Sequence, residues 1–292
     1  MTRQLIVNAD DLGRSPGVTR GILQAHREGI VTSTSVMINQ PGAEAQLADA
    51  LGCPALGVGL HLVFTAWKPL LPAEQVPGLV DESGYFLDQH TAWAQAEQIP
   101  VKQLRAELEA QVERFVLWAG RLPDHLDCHH FVHLYPPFFQ VYADLAFKYG
   151  LPLRVPFPAE TEFVRAAKTL PFLEGFPRGL VRGMIATNSA LLRARHLAYP
   201  EHFVSAFFGR EALTLEHLLG LIDAVPEGIS ELMCHPGYLD TGLRSSSYRD
   251  EREAELALLT HPAVGEHAHA VGVELVNFSV LARPNPGTPA EP

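Results

Sequence analysis

The sequence predicts an α/β fold with a mostly parallel sheet, in the size range of a single (β/α) barrel. Short apolar runs alternate with helical patterns along almost the whole chain, which is the signature of βα units. The 292 residues are 47% hydrophobic and 19% charged, enough to bury a large core. Reactive residue types also recur just after successive apolar runs, at Asp10-Asp11, His61, Arg154 and His235. In a parallel α/β barrel the C-terminal ends of the strands form the catalytic face, so this recurrence of position outweighs any single motif.

The elements follow in order. Leu5 to Val7 is the first strand; Ser15 and Pro16 supply an N-cap and a first helical position for a helix over about Gly17 to Glu28, ended by Gly29. Ser33 to Ile38 and Leu56 to Leu60 are the next strands, with a helix over Ala43 to Leu51 after a Pro41-Gly42 turn. Residues 65–98 break the pattern with several prolines, acidic residues near Gly84, and Trp67, Tyr85 and Trp93. A connection of that length is either a functional loop or lid, or an ordinary insertion. Leu104, Leu108, Val112, Phe115 and Ala119 fall at spacings of three and four, which makes Val101 to Ala119 the strongest helix. Its Arg105, Glu109 and Glu113 read as a solvated face. A helix over Pro137 to Tyr149 closes at Gly150, and Leu151 to Val155 follows as a strand. A Leu-rich helix from about Glu211 to Val225 leads to strands at Ser230 to Cys234 and Val273 to Phe278. One domain is expected over residues 1–282, and the Pro-rich stretch 283–292 is expected to be a disordered tail.

Charge narrows the function. Lys and Arg total 22 against 33 Asp and Glu, a formal net charge of -11, which argues against nucleic acid as a partner. The same balance argues against a polyanionic substrate unless a local basic pocket overrides it. Three cysteines without framework spacing fit a reducing compartment. The run Leu5-Ile6-Val7 is too short for a signal-peptide core, and no apolar stretch approaches the roughly 20 residues a membrane span needs. A cytoplasmic protein without a membrane span is the expectation, with a homodimer as a possible assembly.

Three segments carry chemistry. In Val7-Asn8-Ala9-Asp10-Asp11-Leu12-Gly13, two adjacent carboxylates follow a strand. Like charges so close raise one pKa, and a divalent cation on one carboxylate would relieve them and leave the other as a base. Alternatively one of the two caps the following helix. His61 ends the glycine-flanked run Gly57 to Leu60, and alone it reads as readily as a hydrogen-bonded core residue. The segment His125 to His133 holds four histidines and Asp127 within nine residues, a density that packing does not explain. Imidazole is a common metal ligand, and a neighbouring carboxylate can orient it. In an extended chain His129 and His133 would share one face and His130 the other. Cys128 and Cys234 would then point away from the histidines they precede, as buried small residues. Trp67, Tyr135 and Tyr238 lie near the motifs, where each serves either to stack on a bound ligand or to pack. No GxSxG elbow, GxGxxG or GxxxxGK[ST] run is present.

At NADDLG (8–13), GLHL (59–62), HLDCHHFVH (125–133) and MCHP (233–236) the sequence resembles the YdjC-like carbohydrate deacetylases, which include diacetylchitobiose and hopanoid-biosynthesis deacetylases. The resemblance spans about residues 4 to 280, with the four motifs in the expected order. It implies a distorted TIM-like (β/α) barrel related to the NodB-type polysaccharide deacetylases, and one divalent metal ion, Mg2+ or Zn2+. It further implies Asp11, His61 and His129 as metal ligands, Asp10 as catalytic base, His235 as general acid, and Arg154 as the residue orienting Asp10. The implied activity is hydrolysis of the N-acetyl group of an amino sugar or short acetylated oligosaccharide, releasing acetate. Cys128 stands where the family usually has Ser, and Phe131 replaces a frequent histidine. A phosphoesterase on the same barrel and an inactive sugar-binding relative are the rival readings. The first would need phosphate-binding cations, and the second would show decay of at least one motif.

Overall fold

The computed structural model describes residues 2–168, 173–244 and 246–282. The expected tail, 283–292, lies outside them. The sheet begins with β1 (Arg3–Leu12), buried along nearly its whole length, as a strand covered on both faces must be. Helix α1 (Pro16–Glu28) follows, with the Ser15 side chain accepting from Val18 N at its N-cap and Pro16 in its first turn. Then come β2 (Ser33–Val36), α2 (Ala43–Leu51) and β3 (Gly57–Leu62). Residues 65–98 are not a bare loop. They contain a 3-10 turn at Ala73–Gln75, an antiparallel bridge between Val80 and Phe86, and the short helix α3 (Gln89–Ala94).

Helix α4 (Val101–Ala119) buries Leu104, Leu108, Val112 and Phe115, and Gly120 ends it in the left-handed conformation that glycine adopts without a Cβ penalty. The same helix anchors the 65–98 excursion. Buried Glu107 accepts from Leu70 N at 2.9 Å and Leu71 N at 3.0 Å, and Gln111 brackets Val63 by both its N–H and its carbonyl. Strand β4 (Leu126–Cys128) and helix α5 (Pro136–Tyr149) come next.

Between Val155 and Glu211, where the sequence pattern predicts no element, the chain forms α6 (Glu160–Ala166), α7 (Arg178–Ala194) and β5 (His202–Val204). The expected helix from Glu211 to Val225 is a 3-10 turn at Arg210–Ala212 followed by α8 (Leu215–Asp223), which Thr214 caps. After β6 (Gly228–Cys234) come α9 (Asp250–Leu259), α10 (Pro262–Ala270) and β7 (Val273–Val276). Three acids in the first turn of α9 and Pro262 after a capping His261 are helix-start signals carried by the sequence itself. No helix among the described residues is long and apolar enough to cross a membrane.

Every strand pair is parallel, in the order β4-β3-β2-β1-β6-β5. Strand β7 pairs with the first half of β1, from Arg3 opposite Val273 to Ile6 opposite Val276, and β2 pairs with the second half from Asn8 onward. The two ends of the sheet approach each other through residues 151–155. The sequence predicts a strand there; the chain instead makes a single bridge, Leu153 to Leu126 of β4, while Leu153 N donates to Ala198 O at 3.1 Å. That irregular closure is the distortion of the barrel. Because all strands run the same way, Asp10, Asp11, His61, Cys128 and His235 arrive at one end, and Arg154 joins them from the closure segment.

Candidate metal centre and active site

Strand β1 delivers two consecutive aspartates to one cleft, against the rule that neighbours in a strand point to opposite faces. The cause is local. The register against β2 slips between Ala9 and Leu12, and Asp11 takes a left-handed backbone, φ 72°. Such a bulge re-aims a side chain, at a cost of order 1–3 kcal/mol for a non-glycine residue in that region. Asp11 Oδ2 accepts from Arg252 and lies 3.4 Å from Arg14 Nη1, whereas Oδ1 has no hydrogen-bond partner. That free oxygen lies 3.7 Å from His61 Nε2 and 3.4 Å from His129 Nδ1, and the two nitrogens are 3.2 Å apart. A point equidistant from the three atoms is about 2 Å from each, the length of a metal–nitrogen or metal–oxygen bond. Two ring nitrogens gathered around an otherwise unsatisfied buried oxygen fit a divalent cation.

The surroundings prepare His61 for that duty. Its Nδ1 lies 2.8 Å from Asp127 Oδ1, so an Nδ1–H donates to the carboxylate and Nε2 is turned toward the cleft. Asp127 is held in turn by the Ser35 hydroxyl at 2.7 Å. Burial opposes a charge on His61, but the adjacent Asp127 outweighs it and lifts the imidazole to about 9. The carboxylates that favour a proton on this ring favour a metal cation there as well. Burial alone would raise the Asp11 carboxyl; the Arg252 guanidinium overrides that and holds it well below the usual range. The Asp127 carboxyl is likewise held low, burial being outweighed by His61 and Arg154.

Asp10 stands beside this triangle and is gripped by Arg154, through Nη1 to Oδ2 at 2.7 Å and Nη2 to Oδ1 at 2.6 Å. Arg154 is fully buried; it also donates to Glu231 at 2.7 Å and lies 3.2 Å from Asp127. Asp10, His61 and Asp127 form a second group with ligand-like spacing, but the Arg154 guanidinium already bridges its two carboxylates. His235 follows β6, with Nε2 3.9 Å from Asp10 Oδ2. Burial pushes its imidazole down to about 4.

The histidine-rich segment is not extended after β4. Residues His129–Leu134 form 3-10 turns kinked by left-handed His130 (φ 62°) and Phe131 (φ 57°). The kink lays the His130 ring on His129, centroids 3.6 Å apart, so the two adjacent histidines border the same cleft. His133, expected to share the His129 face, is buried between Phe139 and Tyr142, and His125 stacks on Phe278 at 3.7 Å. Cys128 also departs from expectation: it borders the cleft beside His129, while burial pushes its thiol pKa up. Cys234 is buried against Asn8 O, as the strand alternation requires.

The cleft has a volume of about 410 Å³. Its far walls are Phe208 and Tyr248, stacked at 4.2 Å, together with Gln89 and His90 from the 65–98 excursion. Neither aromatic was singled out from the sequence. Trp67 instead packs behind His129, with Arg14 over its face at 4.9 Å; Tyr135 packs on Phe138; and Tyr238 bonds Gln24. A larger surface hollow of about 890 Å³ lies beyond Phe208, along α8, and holds none of these clustered groups. Sequence reasoning also missed Ser35, Arg252, Glu231 and Glu255, each of which acts on a site residue remote in the chain.

Known proteins resemble this chain over nearly its whole length. A sequence profile described as YdjC-like protein matches residues 4–269. A carbohydrate deacetylase of Geobacillus stearothermophilus is 38% identical over 280 residues, covering 95% of this chain and 98% of the relative. A chitooligosaccharide deacetylase of Proteus mirabilis is 36% identical over 287 residues, covering 96% of this chain and all (100%) of the relative. A crystal structure of an Enterococcus faecalis protein, provisionally assigned to cellobiose-phosphate cleavage, superposes with a TM-score of 0.81 at 34% identity, over 97% of this chain and 100% of that one. The chain belongs to the YdjC-like protein family.

Proposed function

We propose that this protein is a metal-dependent carbohydrate N-deacetylase, which hydrolyses the acetamide of an amino sugar to acetate and a free amine. The observation that carries the reading is the triangle of Asp11 Oδ1, His61 Nε2 and His129 Nδ1, with Asp10 and His235 beside it in one cleft. The deacetylase names of the full-length relatives support the same chemistry.

Asp11, His61 and His129 would hold one divalent ion, which when bound supplies a Lewis acid for the acetamide carbonyl and for water. Two nitrogens and one oxygen suit zinc and other first-row metals as well as magnesium. Asp10 receives a proton from the attacking water, and Arg154 keeps both of its oxygens aimed. His235, on the other side of Asp10, passes a proton to the departing amine. Phe208 and Tyr248 offer flat apolar faces to a sugar ring. We read residues 1–282 as one domain around one core, and the 65–98 excursion as a wall of the cleft rather than a free lid, since Glu107 and Gln111 tie down its base. We read the protein as cytoplasmic, a reading that its three buried free cysteines support.

The test is acetate release from N,N'-diacetylchitobiose and a panel of N-acetylated sugars and glycolipids, with and without EDTA. Release that EDTA abolishes and metal restores is the expected result. No release from any member of the panel by metal-loaded protein would overturn the reading.

A further inference from the structure

Helix α9 carries Arg252 and Glu255 three residues apart, on one buried face. Arg252 reaches Asp11, whereas Glu255 reaches His235. Glu255 Oε2 accepts the main-chain N–H of His235, and Oε1 accepts the Tyr248 hydroxyl. Tyr248 is itself fixed, since Gly209 N donates to its oxygen at 3.3 Å and its ring stacks on Phe208. The His235 ring packs edge-on against both aromatics, at 5.3 and 5.6 Å. His235 Nδ1 has no hydrogen-bond partner and lies 3.9 Å from Glu255 Oε1. At the opposite end of the ring, Nε2 lies 3.9 Å from Asp10 Oδ2.

We propose that Glu255 is a positioning residue for the deacetylation read above: it fixes His235 through the main chain and Tyr248, and shares one proton with the imidazole on its Nδ1 side. Burial penalises both charges, pushing Glu255 up to about 8 and His235 down to about 4, so near neutral pH the pair holds one proton between its members. The other charged groups facing His235 are Asp10 and Asp11 of β1, Arg154 and Arg252, whose charges oppose one another. When the Nε2–H bond breaks and an N–H bond forms on the departing amine, the pair is left with one negative charge. Glu255 carries that charge until a solvent proton restores the pair. Without Glu255, a protonated His235 is a buried cation that has lost its partner on the Nδ1 side.

Glu255→Gln keeps the size of the side chain and an acceptor for the His235 N–H, and removes the charge. Its kcat is expected to fall roughly 10- to 100-fold, with KM within about two-fold of wild type. Metal per chain and Tm should stay unchanged. Tyr248→Phe, which keeps the ring and loses only the hydroxyl, should lose kcat in the same direction by a smaller factor. A second measurement needs no turnover: nitrogen NMR of the His235 ring, whose titration midpoint should fall by about one pH unit or more in Glu255→Gln. Wild-type kcat in both variants, an unmoved His235 midpoint, or a loss that tracks metal content or Tm would each overturn the proposal. If the wild-type protein released no acetate from any sugar, the deacetylase reading would fail while the NMR midpoint still decided the pairing. If Glu255→Gln failed to fold, Tyr248→Phe would be held to both measurements.

Discussion

Arg154 grips both carboxylate oxygens of Asp10, at 2.6 and 2.7 Å, from 144 residues further along the chain. The same guanidinium donates to Glu231 and approaches Asp127, so one buried cation is shared among three buried acids. A bidentate Arg–carboxylate pair fixes direction as well as distance. Asp10 is thereby held beside the metal triangle without joining it. The following outcomes are expected from this arrangement.

Asp10→Asn keeps the shape of the side chain and removes its ability to take a proton. Turnover should fall by roughly 10²- to 10⁴-fold, while metal per chain, read by elemental analysis, stays near wild type. Loss of metal in parallel with activity would instead make Asp10 a ligand.

Asp127→Asn removes the charge that orients His61 but leaves all three proposed ligands in place. Metal affinity should weaken by roughly 10- to 100-fold, measured by competition with a chelator of known strength. Unchanged affinity would show that the Asp127–His61 contact only packs the core.

Gly59 on β3 faces the His125 ring so closely that a Cβ there would lie 2.2 Å from ring carbon Cε1. His125 is itself stacked on Phe278 and has little room to retreat. Gly59→Ala should therefore destabilise by about 1–3 kcal/mol, read as a lowered urea midpoint. A wild-type midpoint would mean that the ring moves freely.

Burial pushes His125 down to about 4 and His133 down to about 3, and none of their ring nitrogens has a hydrogen-bond partner. In the unfolded chain both titrate near 6.5, so below that pH the unfolded state takes up protons that the folded state refuses. Stability is fully present above pH 6.5 and falls as pH drops toward 4, by on the order of 3 kcal/mol for His125 alone. His125→Phe preserves the stack on Phe278 and should flatten part of this slope between pH 7 and pH 4.5 in urea titrations. Parallel slopes for the two proteins would refute the assignment to His125.

Periodicity made some elements legible and length hid others. The stripe Leu104, Leu108, Val112 and Phe115 defines α4, and the boundaries of α2 and α4 were readable to the residue, because a long amphipathic face repeats its own signal. Strands β4 and β5 are three residues each, too short to show alternation, and they exist because neighbours pair with them. Leu151 to Val155 looks like a strand by composition, yet only Leu153 bridges, since the barrel closes irregularly there. The segments that hold the proposed ligands stood out because carboxylate and imidazole cluster at or near strand ends, and the family resemblance singled out Asp11, His61 and His129 among them. Arg252 and Glu255 did not, because on an acidic helix with no aromatic marker they resemble a solvated face.

Composition and local pattern were sufficient to determine a parallel α/β chain with Asp10, Asp11, His61, Arg154 and His235 at the ends of its apolar runs and His129 within a histidine cluster. Those features depend on neighbours in sequence, where residue type and spacing act directly. Which oxygen of Asp11 stays free, which nitrogen of His61 faces the cleft, and which residues press on His235 were decided only in three dimensions. Each depends on a bulge, a kink or a hydrogen bond from a residue far along the chain. Such contacts leave no local trace, because their energy is realised only when remote segments are packed against one another.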